Sequence, residues 1–83
     1  MDIRRLLGAN VRHFRTLAGL SQEAVSVRMG VDRAYVSLIE RGGQNATLLS
    51  IHELAQALGV KPAALLVDPP HGEEPHPAEP GGV

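Results

Sequence analysis

Apolar residues recur at helical spacing along the first part of the chain until a glycine interrupts the pattern. The residues that share one face are Ile3, Leu7, Val11, Phe14 and Leu17. This periodicity predicts a first helix over residues 3–18, and Gly19 is placed to end it. The polar face of this helix carries Arg4, Arg5, Arg12 and His13.

Two shorter helices are expected next. Ser21 is a favourable N-cap residue for a second helix, which Gly30 ends. Asp32 is expected to cap a third helix over residues 33–41, and the following Gly42-Gly43 pair ends it. Two short helices joined by a tight turn that contains glycine are typical of a helix-turn-helix, whose second helix enters the major groove of DNA.

The fourth helix has the clearest apolar stripe. Its members are Leu48, Ile51, Leu54, Ala55 and Leu58. Thr47 precedes this stripe as an N-cap residue, and Gly59 follows it as a C-cap. Pro62 fits the first position of a fifth helix that is predicted to run through about Val67. No run of alternating β-branched residues is long enough to predict a strand, so the expected fold class is all-α.

The third helix separates an inward face from an outward one. At about 100° per residue, Val36 and Ile39 lie on one side. The other side carries Arg33, Ala34, Ser37, Leu38 and Arg41. Arginine can bind two guanine acceptors or a phosphate, an alanine methyl can contact a thymine methyl, and serine can donate or accept a hydrogen bond. From spacing alone, the solvated face of an ordinary helical bundle explains this surface equally well.

Composition narrows the possible functions. The chain has 83 residues and no cysteine, which allows at most one small domain and excludes a disulfide knot, a thiolate metal site and a cysteine nucleophile. The four histidines lack i, i+4 spacing, and no catalytic Ser/His/Asp grouping or phosphate-binding glycine loop is recognisable. An enzyme is therefore not expected. Since no signal peptide or membrane span is present in the sequence, a cytoplasmic protein is expected.

The net charge of −1 conceals two segments of opposite sign. Residues 1–67 contain all eight basic residues and five acidic ones, a balance of +3. Residues 68–83 contain four acidic residues, no lysine or arginine, and five of the six prolines. Such a segment cannot bury enough apolar surface to offset its ordering entropy. We therefore predict a helical domain over residues 1–67 and a disordered acidic tail over residues 68–83.

Two runs of residues carry a resemblance to a known family. The first, residues 19–23, reads Gly-Leu-Ser-Gln-Glu, and the second, residues 29–42, ends Leu-Ile-Glu-Arg-Gly. With Leu-Ala-Gln-Ala-Leu-Gly-Val at residues 54–60, they resemble the Cro/repressor-type, or XRE-type, helix-turn-helix family over most of residues 6–66. Within this family, residues 32–37 and 45–48 look like those of the small controller proteins of restriction–modification systems.

The resemblance implies a fold, a function and roles for individual residues. It implies a five-helix, lambda-repressor-like domain that acts as a homodimeric transcriptional regulator on a palindromic DNA operator. From composition no cofactor, metal or membrane partner is expected, and with 83 residues no separate domain for a small-molecule effector is expected either. The residues expected at the DNA are Gln22, Arg33, Ala34, Tyr35, Ser37, Arg41, Gln44, Asn45 and Thr47. Arg15 and Glu40 are expected to form an ion pair between the first and third helices. A dimer interface is expected at Leu65, Leu66 and Val67, together with the exposed side of the fourth helix.

Some positions depart from the family pattern. Ser26 replaces the usual alanine in the contact between the two short helices, so its hydroxyl needs a local backbone acceptor. Ala34 replaces a threonine, and the operator sequence therefore cannot be inferred from relatives. Gln44 stands where a basic residue is frequent, which should reduce the electrostatic part of the affinity for DNA.

Two other functions are compatible with a small helical domain. One is an antitoxin-like module whose helical surface binds another protein, and the other is a helical domain with no role at DNA. Neither explains the Ser-Gln-Glu and Ile-Glu-Arg-Gly runs as well as DNA binding does.

Overall fold

The computed structural model describes residues 2–68, which fold into four α-helices and one 3-10 helix. The α-helices are α1 (Ile3–Leu17), α2 (Gln22–Met29), α3 (Arg33–Glu40) and α4 (Leu48–Leu58), and the 3-10 helix spans Pro62–Leu66. Every regular element in this part of the chain is helical, which confirms the predicted fold class. The predicted acidic tail, apart from Asp68, lies outside the described residues.

α1 begins at a side-chain cap and ends before a left-handed glycine. The Asp2 carboxylate accepts a hydrogen bond from the Arg4 backbone N–H at 3.0 Å. Hydrogen bonds from the Arg4 side chain, and then from its backbone N–H, hold the pKa of Asp2 below its ordinary value. Gly19 has a φ of 70°. The helix ends one residue before the predicted boundary because Ala18 serves as its C-cap.

The turn between α2 and α3 reverses the chain at a glycine, as predicted. The Ser21 hydroxyl oxygen caps α2 by accepting a hydrogen bond from the Ala24 backbone N–H at 3.0 Å. Gly30 adopts the left-handed conformation with a φ of 73°, which residues with a Cβ rarely tolerate. The Ser26 hydroxyl donates to the Glu23 carbonyl at 2.7 Å. The Glu23 carbonyl is thus the local backbone acceptor that the hydroxyl at position 26 requires.

The N-terminus of α3 differs in one detail from the prediction. Asp32 occupies the N-cap position with extended backbone, but its side chain forms no capping hydrogen bond. Its carbonyl accepts a hydrogen bond from the Tyr35 N–H at 3.0 Å, so backbone geometry alone starts this helix. The predicted side-chain cap is therefore wrong. The helix ends at Glu40, and Arg41 is its C-cap.

α4 has the predicted caps at both ends. The Thr47 hydroxyl oxygen accepts a hydrogen bond from the Ser50 N–H at 3.0 Å. Gly59 adopts a φ of 74° as the left-handed C-cap, and its N–H donates to carbonyls in the last turn of the helix.

The last element is a 3-10 helix, where a fifth α-helix was predicted. Pro62 stands at its N-terminus as expected, but the element ends at Leu66 and Val67 is extended. A five-residue segment gains little from an α-helical hydrogen-bond ladder. The side chain of Asn10 fixes the end of this segment by donating to the carbonyls of Leu65, at 2.9 Å, and Val67, at 2.7 Å. A contact with α1 therefore holds the end of this element.

The core forms where the helices meet. Its buried apolar residues are Leu7, Val11, Val25, Val36, Ile39, Leu54, Ala55, Ala57, Leu58 and Leu65. Phe14 packs against this cluster. Within residues 2–68, no helix has the length and apolar character needed to cross a bilayer.

Candidate nucleic-acid interface

α3 presents a polar surface on the side that faces away from the core. Val36 and Ile39 are buried, whereas Arg33 and Ala34 are exposed and Ser37 is half-buried. Arg41, directly after the helix, is also exposed. We call Arg33, Ala34, Ser37 and Arg41 the outer face of α3. It contains four of the five residues that the helical periodicity assigned to the outward side, and the fifth, Leu38, is half-buried.

A series of polar contacts connects the outer face to the interior. The Arg33 guanidinium donates from Nη1 to Oε1 of Gln22 at 3.3 Å, and Nε2 of Gln22 donates to Oε1 of Glu40 at 3.1 Å. The Glu40 carboxylate also accepts two hydrogen bonds from Arg15, one of them from Nη2 to Oε1 at 3.0 Å. We call these four residues the polar chain. It joins α1, α2 and α3 through their side chains.

The inner end of the polar chain is almost closed to solvent. The Glu40 side chain is 5% exposed and the Arg15 side chain 16%. The hydrogen bond from Arg15 to Glu40 raises the pKa of Arg15 above its ordinary value. Nη1 of Arg15 also donates to the Leu20 carbonyl at 2.9 Å. The ion pair therefore connects α1 to α3 and to the turn that precedes α2.

The other residues predicted at the DNA lie in several environments. Tyr35 is half-buried and packs against the core. Gln44 and Asn45 lie in the loop between α3 and α4, where Gln44 is half-buried and Asn45 exposed. The Thr47 hydroxyl donates to the Ser50 hydroxyl oxygen at 3.1 Å while it caps α4. A contact between Thr47 and a phosphate would compete with this bond.

Apolar side chains are exposed in two segments, at the end of the domain and in the first turn of α4. Leu66 is 40% exposed and Val67 56%, and the first turn of α4 exposes Leu48 and Leu49. We call these four residues the apolar surface. Leu65 has no exposed area because its side chain is part of the core. The prediction that its side chain lies in a dimer interface is therefore wrong, since a 3-10 helix turns this residue inward.

Asn10 is a residue whose importance sequence reasoning missed. It is fully buried, and its side-chain amide holds the backbone on both sides of Leu66. Its Oδ1 atom is buried without a hydrogen-bond partner. The available signal was its position between Leu7 and Val11, where a polar residue interrupts the apolar face of α1.

The described part of the chain offers little for other chemistry. One open cavity of about 310 Å³ is lined by Arg28, Met29, Glu53, Gln56 and Ala57, away from the outer face of α3. Residues 2–68 contain no group of three His, Cys, Asp or Glu side chains placed to hold a metal ion.

Comparison with known proteins identifies the family. Residues 11–65 match the helix-turn-helix family HTH_3. The chain is 46% identical over 66 residues to the uncharacterized HTH-type transcriptional regulator y4dJ of Sinorhizobium fredii, a match that covers 80% of this chain and 86% of that protein.

Two solved structures of restriction–modification controller proteins share the fold. C.AhdI from Aeromonas hydrophila superposes with a TM-score of 0.72 at 42% identity, covering 75% of this chain and 94% of that one. C.Esp1396I, solved as a tetramer in complex with its natural 35 base-pair operator, superposes with a TM-score of 0.72 at 25% identity, covering 78% of this chain and 86% of that one. The chain therefore belongs to the XRE-type helix-turn-helix family, a non-enzymatic family of DNA-binding transcriptional regulators, and is similar within it to restriction–modification controller proteins.

Proposed function

We propose that this protein is a sequence-specific transcriptional regulator that binds a palindromic operator as a homodimer, in the manner of a restriction–modification controller protein. The observation that carries the proposal is the outer face of α3, which is exposed, polar and cationic. The single acidic residue within α3 is Glu40, and its carboxylate forms an ion pair with Arg15 in the interior. The surface offered to a DNA groove therefore carries the charge of Arg33 and Arg41 without an opposing carboxylate from the same helix.

The polar chain prepares Arg33 for base recognition. Gln22 contacts its guanidinium in the unbound protein, while the residue as a whole remains exposed. Holding a long side chain near its bound position reduces the conformational entropy lost on binding. A single weak contact of 3.3 Å is also easily exchanged for the stronger bidentate contact with guanine O6 and N7. Arg33 is accordingly assigned to base recognition, and Arg41 to a phosphate.

A second copy of the chain is the proposed partner of the apolar surface. One recognition helix contacts few bases, so two copies on a palindrome increase both affinity and specificity. Leu48, Leu49, Leu66 and Val67 offer apolar area that association would remove from water. The operator complex of C.Esp1396I, which contains several copies of that protein, supports this arrangement. The two half-sites would lie about 34–36 Å apart, one turn of the duplex.

Selection of binding sites from random duplex DNA tests the proposal. The selected duplex is expected to contain two inverted half-sites. Arg33→Ala is then expected to weaken binding to this duplex by about 1–3 kcal/mol and to change binding to mixed-sequence DNA little. Arg41→Ala, as the matched comparison, should weaken binding to both duplexes alike because a phosphate contact carries no sequence information. Equal losses for Arg33→Ala on both duplexes would contradict its role in base recognition.

A further inference from the structure

We propose that Arg5, at the start of α1, is a phosphate-binding residue of the DNA interface and adds positive charge beside residues 42–47, the uncharged part of the loop between α3 and α4 that follows Arg41. This inference rests on the proposed function. It concerns a residue outside the helix-turn-helix, brought to the loop by the way in which α1 packs.

α1 packs closely against the end of α3. A Cβ atom added at Gly8 would lie 2.4 Å from the carbonyl oxygen of Ile39 and 2.7 Å from that of Glu40. Real Cβ atoms do not approach other atoms so closely, so the two backbones meet here because position 8 is glycine. The N-terminal turn of α1 is thereby fixed beside the segment that leaves α3.

Arg5 contacts the segment that leaves α3. Gly42 has a φ of 75°, and a Cβ atom added there would lie 2.9 Å from Cγ of Arg5 and 3.2 Å from its Cα. The aliphatic stem of Arg5 therefore lies against the first residue of the loop. Arginine commonly packs its stem on protein in this way while its charged group stays in water.

The positive charge of Arg5 forms no salt bridge within residues 2–68. Arg5 is exposed, and the salt bridges formed within residues 2–68 are those of Arg4 with Asp2 and of Arg15 with Glu40. The guanidinium of Arg5 is thus not paired with a carboxylate in this part of the chain. It is available to a phosphate, which arginine binds through two parallel hydrogen bonds.

The loop residues next to Arg5 carry no charge. Residues 42–47 read Gly-Gly-Gln-Asn-Ala-Thr and contain no basic residue. Gln44 and Asn45 can donate hydrogen bonds to a phosphate, but neither releases a counterion, and counterion release supplies much of the affinity for DNA. An arginine anchored against Gly42 adds a charge, besides that of Arg41, next to the uncharged residues 42–47.

The test is the salt dependence of DNA binding by the full chain, measured by fluorescence anisotropy. The probes are a mixed-sequence duplex and the duplex recovered by selection. Loss of one phosphate contact lowers the slope of log K against log salt concentration by about 0.9. Arg5→Gln should therefore lower the slope by about one per bound subunit and weaken binding severalfold at low salt on both duplexes.

Two further variants make the result specific. Lys61→Gln removes the same charge from the exposed residue before the 3-10 helix, which packs on α1 and α4, and should leave the slope nearly unchanged. Gln44→Arg, added to Arg5→Gln, should restore the wild-type slope because it returns the charge to the same loop. Thermal unfolding midpoints close to that of the wild type establish that each variant is folded.

The outcomes separate this inference from the function on which it rests. A slope for Arg5→Gln equal to that of Lys61→Gln, or a slope that Gln44→Arg does not restore, would overturn the role of Arg5 and leave the proposed function intact. Wild-type protein that binds neither duplex in a salt-dependent way would overturn the proposed function itself, and the role of Arg5 with it.

Discussion

The outer face of α3 and the apolar surface are both exposed, but the fold supports them in different ways. The outer face belongs to an α-helix with its own hydrogen-bond ladder, and the polar chain braces it through Glu40 from two other helices. In the apolar surface, Leu66 is the last residue of a short 3-10 helix without a side-chain cap and Val67 follows it, and Asn10 holds the end of that helix. The first surface is largely built from nearby residues. The second depends on a contact across 55 positions of sequence.

This difference has a functional consequence. A rigid support keeps polar groups in the positions that base recognition requires, because small displacements break directional hydrogen bonds. Apolar contacts are not directional, so a surface that pairs two copies tolerates a simpler support. The polar chain and the Asn10 contact can each be removed separately by substitution.

The largest expected effect is that of Glu40→Ala, which breaks the support of the outer face. Arg15 would lose its carboxylate while its side chain remains mostly buried. Removing one partner of a buried ion pair costs about 3 kcal/mol. We expect a loss of this size in the free energy of unfolding by urea, together with weaker binding to the selected duplex because Gln22 loses its acceptor.

A double variant provides the control for this prediction. Arg15→Met combined with Glu40→Leu removes both charges and should lose much less stability than the sum of the two single substitutions at these positions. Stability of Glu40→Ala equal to that of the wild type would contradict the role given to the ion pair.

An intermediate effect is expected for Asn10→Ala, which removes the support of the part of the apolar surface formed by Leu66 and Val67. The carbonyls of Leu65 and Val67 would lose their donor, and leaving the buried Leu65 carbonyl unsatisfied costs about 2 kcal/mol. We expect that loss in the free energy of unfolding and weaker association of two copies in sedimentation experiments. Asn45→Ala removes the same side chain from an exposed loop position and should leave both quantities unchanged. Loss of stability without any change in association would contradict the supporting role of Asn10.

The smallest effect on the fold is expected for Leu66→Gln, which changes the apolar surface itself. The Leu66 side chain is 40% exposed, so the stability of one copy should change by only about 0.5 kcal/mol. The dimer dissociation constant should increase about tenfold, because a two-fold symmetric interface carries the substitution in both copies and the two losses together would reach about 1.4 kcal/mol. Leu17→Gln, at an apolar residue that is 71% exposed elsewhere on the domain, should not change association. The same result for both variants would place the dimer interface elsewhere.

The support of each surface also explains what the sequence could predict. The boundaries of α2 and α4 depend on cap residues that act locally, such as Ser21, Thr47 and Gly59, and these predictions are confirmed. The two faces of α3 follow from helical periodicity. The resemblance suggested a pair between Arg15 and Glu40, but the link from Glu40 through Gln22 to Arg33 requires three helices in their final positions.

The predictions for the end of the domain were less successful for the same reason. Pro62 is equally compatible with an α-helix and a 3-10 helix, so local sequence did not distinguish them. The distinction depends on Asn10, which takes up the carbonyls at the end of the segment. The approach of Arg5 to Gly42 is also tertiary, and no local pattern in the chain indicates it.

The outer face of α3 is proposed to bind DNA, and the apolar surface is proposed to join two copies of the chain. The most direct test of this division of roles compares two duplexes. One carries the complete selected palindrome, and the other carries a single half-site. The dissociation constants of the wild type, Arg33→Ala and Leu66→Gln are measured for each. We predict that the wild type binds the palindrome far more tightly, that Arg33→Ala weakens binding to both duplexes, and that Leu66→Gln weakens binding to the palindrome alone. Equal affinity of the wild type for the two duplexes, or equal losses for Leu66→Gln on both, would contradict this division of roles.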